Sequence, residues 1–237
     1  MSNRFAAIFD KSARWRSRLG ALLPQHCALC AAASADALIC PKCDAALPRL
    51  GPACPRCALP TPAGVVCGRC TRRPPPFAVT HAAYSYAYPV DRLLQAMKYR
   101  GAMAYADCFA DALARTASAV PDLVIALPLA PARQRERGFN QAQEIARRLA
   151  QRLDVPLAYG LVRIRETTPQ TALPWTARRR NVRGAFAALP AVAGRRIAIV
   201  DDVMTTGATL ASAADAALRG GATAVEAWVA ARTLPPS

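Results

Sequence analysis

The sequence predicts a parallel α/β sheet behind a small module stapled by cysteines. Two apolar runs without polar alternation, residues 123–127 and 197–200, read as strands covered on both faces. Alanine-rich helical stretches follow both runs. Eight of the nine cysteines fall in four C-x-x-C pairs ahead of residue 71, in a stretch too rich in proline to fold by packing alone.

The first element, residues 1–23, carries Arg4, Lys11, Arg14, Arg16 and Arg18 and reads as a basic amphipathic helix without the apolar core of a secretory signal. Residues 24–73 hold the pairs Cys27/Cys30, Cys40/Cys43, Cys54/Cys57 and Cys67/Cys70. Each cysteine of the first four recurs 27 residues on in the second four, which marks a tandem duplication. Two C-x2-C knuckles per repeat suit a tetrahedral zinc, and a complete set of four thiolates leaves no open position, so the two metals are expected to be structural. Spacing alone allows one zinc per repeat or one pair from each repeat; the duplication favours the former. His26 is left as a surface residue.

Residues 71–76 form a Pro/Arg hinge, after which residues 77–233 are expected to be the main domain. Residues 81–88 alternate as a strand, with His81 a strand or surface residue, and residues 90–97 read as a short helix ending in the basic turn Lys98, Tyr99, Arg100, Gly101. Residues 105–115 are helical, with Cys108 a small core residue. The strand 123–127 closes at Pro128. Arg133, Arg135 and Arg137 then form a cationic loop ahead of a helix over 140–153; cations at a helix start oppose its dipole, so an anionic ligand is expected there. Residues 163–186 are polar, arginine-rich and longer than a plain connection. Arg178, Arg179, Arg180 and Arg183 are candidate cations facing a ligand or nucleic acid, and Trp175 or Tyr99 is a candidate stacking platform for single strands.

The last strand–helix unit is the most informative. Asp201 and Asp202 fall at the carboxyl end of the run 197–200, where ligands of open α/β sheets collect. Val203, Met204, Thr205, Thr206, Gly207, Ala208 and Thr209 then lead into a helix over 210–218. Freed N–H groups, threonine hydroxyls and a glycine able to turn tightly make a phosphate site. Two carboxylates beside it suit vicinal hydroxyls of a ribose and a divalent cation. No GK[ST] or GxGxxG loop is present.

With 31 Lys and Arg against 15 Asp and Glu, the formal charge is +16, which favours phosphate-bearing partners and argues against cationic ones. A bias toward Ala, Arg and Pro also follows from a GC-rich genome, so charge alone does not name the ligand.

The motifs KYRG, RERGFNQA, TTPQTALPWTARRRNVRGAF and VDDVMTTGATL, in this order behind paired C-x-x-C ribbons, resemble the ComF family of competence-associated, phosphoribosyltransferase-like proteins. The resemblance spans roughly residues 27–232. It implies a type I phosphoribosyltransferase-like (Rossmann-like) domain behind an N-terminal double zinc ribbon, and it implies cytoplasmic handling of incoming single-stranded DNA. Its ligand would be phosphoribosyl pyrophosphate (PRPP) with Mg2+, and its partners single-stranded DNA and a competence helicase or other DNA-uptake proteins. In that reading Asp201 and Asp202 hold ribose hydroxyls as the catalytic pair and residues 203–209 hold the 5-phosphate. Arg133, Arg135 and Arg137 hold the pyrophosphate, helped by Lys98, Arg100 and Arg183, and residues 163–186 form a flap. The family usually places a histidine where this chain has Ala130. A non-catalytic single-strand-binding protein using the PRPP pocket as a sensor is the alternative. A PRPP-binding transcriptional regulator finds no helix-turn-helix to support it.

Overall fold

The computed structural model describes residues 26–34, 37–165 and 182–234. The expected helix over 1–23, Trp175 and Arg178, Arg179 and Arg180 lie outside those residues. The chain divides between Leu47 and Pro48 into two compact units. In the first, Cys27, Ile39, Cys40 and Leu47 are buried around a knuckle closed by the His26–Ala33 bridge and followed by the single-turn helix Pro41–Ala45.

The second unit carries the other cysteine repeat, with its short helix Gly68–Arg72, and then the strands in chain order. These are β1 Val79–Ser85, β2 Leu123–Ala126, β3 Leu161–Arg163, β4 Phe186–Ala188, β5 Arg196–Met204 and β6 Ala224–Arg232. Four of them form a parallel sheet in the order β1-β6-β5-β2. Ile197, Ala198, Ile199 and Val200 are fully buried, as the absence of alternation requires of a strand covered on both faces. Each of the larger three contributes about 1.5–3 kcal/mol of apolar burial. The helices Tyr105–Ala114, Gln141–Leu153 and Ala208–Arg219 turn their buried stripes to this sheet and to one another.

The edge strand β1 is not left open. Ser85 and Thr80 donate backbone N–H groups to the carbonyls of Pro48 and Pro55, and Arg49 bridges Tyr84, so residues 48–55 run antiparallel along that edge. A strand edge covered in this way cannot template another chain. β3 and β4 form a separate antiparallel pair that flanks the undescribed part of the expected flap.

Three elements differ from their sequence expectations. β5 runs through Asp201 and Asp202 to Met204 because the nine-residue β6 keeps pairing with it, up to Met204 opposite Arg232. The helix after it starts at Ala208. The arginine stretch expected as a loop is the helix Pro131–Arg137: Pro131 sits in its first turn, where a missing N–H costs nothing, and Gly138 at φ 74° closes it. Arg135 and Arg137 therefore occupy the last turn of one helix, where cations complement the dipole, and the electrostatic argument for an anion at the start of the next helix does not hold. His81 is a β1 residue, 5% exposed, held between Thr116 and Glu226 and stacked on Trp228.

Candidate functional site

The carboxyl ends of β5 and β6 gather the tandem aspartates, the threonine turn and one lysine. Asp202 Oδ2 lies 2.5 Å from Lys98 Nζ, and both side chains are largely shielded, at 15% and 19% exposure. Lys98 arrives there because Val90, Leu93, Leu94 and Met97 bury one stripe of the helix Val90–Arg100, which Gly101 ends in the left-handed conformation. The aspartates also cap their own backbone: Asp202 N donates to Asp201 Oδ1 at 2.8 Å and Val203 N to Asp202 Oδ1 at 2.7 Å.

Two adjacent carboxylates cannot both ionise freely in a shielded place, and their environments separate them. Burial, then the charge of Asp202, pushes Asp201 well above the usual carboxylate range. Burial works on Asp202 in the same direction, but the Lys98 ammonium and the Val203 N–H outweigh it and hold Asp202 below that range. Lys98 is pulled down by burial and raised further by Asp202 and Asp201, so it stays charged. The strand end thus pairs a carboxyl biased toward its protonated form with one ion pair.

Past Met204 the chain turns through Thr205 and Thr206 to Gly207, whose φ of 77° favours glycine. A Cβ at Gly207 would stand 2.5 Å from Met204 Cε. Ala208 N donates to Thr206 Oγ1 at 3.1 Å, and Ala211 N to Gly207 O at 2.8 Å, starting a twelve-residue helix. Asp201 and residues 203–210 line a small pit of about 20 Å³ over this turn. A larger hollow of about 510 Å³ lies between the end of the helix Gln141–Leu153 and residues 154–157, away from these groups.

The arginines are unequal. Arg163, at the end of β3, is lowered by burial, raised by Asp201 and lowered by Arg133, which places it within the electrostatic reach of both. It also lies 5.5 Å over the Phe186 ring. Sequence reading counted Arg163 only as part of a charge cluster; its position directly after the apolar pair Leu161 and Val162 was the available signal. Arg137 bonds Gln141 at 3.3 Å and lies 5.7 Å over Tyr99, while Arg135, Arg100 and Arg183 are exposed. Arg148 and Arg152 bind Asp107, Asp111 and Glu144, so part of the basic surface is neutralised internally. Ala130 is buried at 8% exposure, directly before Pro131. Asn140, another residue not singled out in the sequence, caps the next helix through Ala142 N and donates to Leu127 O, fixing that helix to the end of β2.

The cysteines converge into two sets, Cys27/Cys30/Cys40/Cys43 and Cys54/Cys57/Cys67/Cys70, each with all sulfurs within 4.8 Å of one another. The ligands therefore come from one repeat each, with no exchange of pairs. Cys30 and Cys40 sulfurs are 3.8 Å apart and Cys57 and Cys67 3.7 Å; a tetrahedral zinc with Zn–S of about 2.3 Å requires about 3.8 Å. Backbone N–H groups of Cys40 and Leu29 pull Cys27 down to about 6. Burial raises Cys54, yet the N–H groups of Cys67 and Cys57 bring it to about 7. Hydrogen bonding by Cys30 and Cys40 pushes Cys43 up to about 12. Sulfurs that compete this way for ionisation want a cation, and all-thiolate donation fits zinc.

Comparison with known proteins finds both a zinc ribbon and a transferase-like domain. A double zinc ribbon domain model matches residues 18–71 and a phosphoribosyl transferase domain model matches residues 137–234. The chain is 36% identical over 206 residues to the DNA utilization protein YhgH of Escherichia coli O157:H7, covering 83% of this chain and 91% of that one. It is 30% identical over 178 residues to competence protein F of Haemophilus influenzae, covering 70% and 78%. It is also 30% identical over 197 residues to competence protein ComFC of Bacillus subtilis, covering 78% and 80%.

Proposed function

Because the chain belongs to the ComF family of DNA utilization and competence proteins, we propose that it acts in DNA uptake and that the pocket at the end of β5 binds PRPP with Mg2+. The observation that carries this reading is the Lys98–Asp202 pair beside Asp201, directly ahead of the threonine turn. Asp201 and Asp202 accept hydrogen bonds from the ribose hydroxyls, and the turn from Thr205 to Thr209 takes the 5-phosphate on hydroxyls and helix N–H groups. A bound Mg2+ would neutralise pyrophosphate charge. On the protein side, Arg133 and Arg163 supply further cations, with Arg135 and Arg137 on the same short helix as Arg133.

Transfer from PRPP passes through an oxocarbenium-like state, so the protein's work is charge placement and orientation. Lys98 keeps Asp202 ionised as positive charge builds on the ribose. Ala130 offers no proton-transfer group where the family's histidine usually stands, so an acceptor has to bring its own nucleophile or borrow a distant base. Isothermal calorimetry with PRPP and Mg2+ tests the pocket. Wild-type protein should bind, and Asp202→Asn should weaken binding at least about tenfold, roughly one lost charge-assisted hydrogen bond. Equal affinity would remove Asp202 from the site.

The exposed Tyr99 under Arg137 favours a second reading, single-strand binding with the pocket as sensor, since base stacking on such a pair tolerates any sequence. Pyrophosphate release from PRPP in the presence of nucleobases or oligonucleotides separates the two.

A further inference from the structure

Arg232, the last residue of β6, is fully buried. Its Nε donates to the carbonyl of Cys57 at 2.8 Å, and its Nη1 to the carbonyls of Met204 at 2.9 Å, Thr233 at 2.6 Å and Thr205. Among the described residues no carboxylate pairs with it, and its Nη2 has no hydrogen-bond partner. A buried guanidinium held only by carbonyls leaves its charge uncompensated, which a folded protein avoids. What the guanidinium does touch is the second cysteine set, through the Cys57 carbonyl. A zinc ion bound by four thiolates carries a formal charge of −2, so the second cysteine set supplies the missing counter-charge.

Packing makes the same connection. Cys54, Cys57 and Cys70 share one apolar core with Phe77, Met204 and Leu210. Phe77 and Met204 are also the side chains that a Cβ at Gly207 would meet. The turn that starts at Thr205 thus rests on a cysteine-bearing core and is fastened by a residue that also fastens a cysteine carbonyl.

We propose that Arg232 is a positioning residue joining the second four-cysteine site to the phosphate-binding turn, so that metal occupancy at Cys54, Cys57, Cys67 and Cys70 sets the shape of that turn and its affinity for ligand. This rests on the PRPP reading of the pocket. Loss of the metal removes the counter-charge, Arg232 is no longer tolerated in its buried place, and the Met204 and Thr205 carbonyls lose their anchor.

The test uses the full chain, with PRPP affinity by calorimetry and zinc release to a chromogenic chelator as separate readouts. Arg232→Met should weaken PRPP binding at least tenfold and speed release of one zinc of two. Arg232→Lys, which keeps the charge but cannot reach four carbonyls at once, should retain that zinc better than Arg232→Met while binding PRPP as poorly. An Arg232→Met protein with a wild-type melting transition, wild-type PRPP affinity and unchanged zinc release overturns the proposal. Should Arg232→Met fail to fold, stepwise chelation of the wild-type chain decides: affinity is expected to fall with one zinc and not with the other, and affinity that survives release of both is the refuting result. A wild-type chain that binds no PRPP defeats the pocket reading itself, and the zinc readout then judges the Arg232 tie alone.

Discussion

The two cysteine repeats are nearly the same piece of local structure put to different uses. In each, the residue after the second cysteine takes a positive φ, 58° at Ala31 and 53° at Ala58. In each, that residue's N–H returns to the first cysteine carbonyl at 2.8 Å, and a cysteine N–H meets the first cysteine sulfur at 3.3 Å. Each is followed by a five-residue helix. The first knuckle closes on its own unit: Ala28 N donates to Leu38 O and Ser34 Oγ to Ala37 O. The second spends its carbonyls on the sheet, with Pro55 O and Arg56 O accepting from Thr80 and Cys57 O accepting from Arg232. Cys30 is accordingly exposed, whereas its counterpart Cys57 is 1% exposed. The lesson is that a metal knuckle's ligand geometry is local, while its energetic reach depends on where its carbonyls point.

The sharpest way to break this comparison is to remove one sulfur from each repeat. Cys54→Ser withdraws a ligand from a site whose metal contributes on the order of 10 kcal/mol to folding, and it does so inside the core that holds β5. We expect the unit from Pro48 onward to lose about 4 kcal/mol, or roughly 8–16 °C in Tm for a domain of this size. Cys27→Ser should unfold the unit ending at Leu47 and leave the main calorimetric transition in place. Equal shifts in the main transition would show that the repeats are interchangeable.

A smaller perturbation approaches the same core from the pocket. Gly207→Ala forces a left-handed backbone on an alanine, about 1–2 kcal/mol, and drives a methyl toward Met204 Cε. Met204 gives way toward the packing it shares with Phe77 and the second cysteine set. The expected result is a Tm lower by a few degrees with faster zinc release from the second site only, read by chelator kinetics in a Cys27→Ser background. Unchanged kinetics there would confine the strain to the turn.

Much of this was readable in the chain, and the unreadable part has a common cause. Cysteine spacing names the eight ligands, and the tandem duplication, not the spacing, favours the one-repeat sets that the structure forms. The apolar run 197–200 locates the central strand because a doubly covered strand needs no alternation. How far β5 runs depended on β6, which pairs with it only after folding. The helix Pro131–Arg137 hid behind its charge, since a cationic run suggests a solvated loop more readily than a proline-started helix. Arg232 had no local signal: Met204 and Cys57, the partners that matter, lie 28 and 175 residues away, and a lone arginine ending an apolar strand resembles a strand leaving for solvent. Arg163 is a similar case, ordinary in sequence and informative only beside Asp201, whereas Lys98 was legible as a ligand-facing cation but not as the partner of Asp202.

The mildest test separates what the repeats hold as thiolates from what the strand end holds as a proton. A carboxyl raised above its unfolded value of 3.8 binds more protons folded than unfolded, so stability falls as pH climbs from that value toward the folded one. Asp201 therefore costs the ligand-free protein stability at neutral pH, and Asp201→Asn should raise the main Tm slightly at pH 7, with the gain vanishing below about pH 4. Asp202 has the opposite sign: its depressed value stabilises the fold above 3.8 and that contribution is lost only as pH drops through the folded value, so Asp202→Asn should lower the same transition. Metal-held thiolates release no proton on ligand binding, whereas Asp201 meeting ribose hydroxyls and a divalent cation must ionise. Calorimetry of PRPP binding in two buffers of different ionisation enthalpy should then show up to one proton released per chain, unaffected by Cys27→Ser. A Tm for Asp201→Asn below that of wild type at pH 7 would mean that the carboxyl is charged in the resting pocket and that the ion pair with Lys98 is shared between both aspartates.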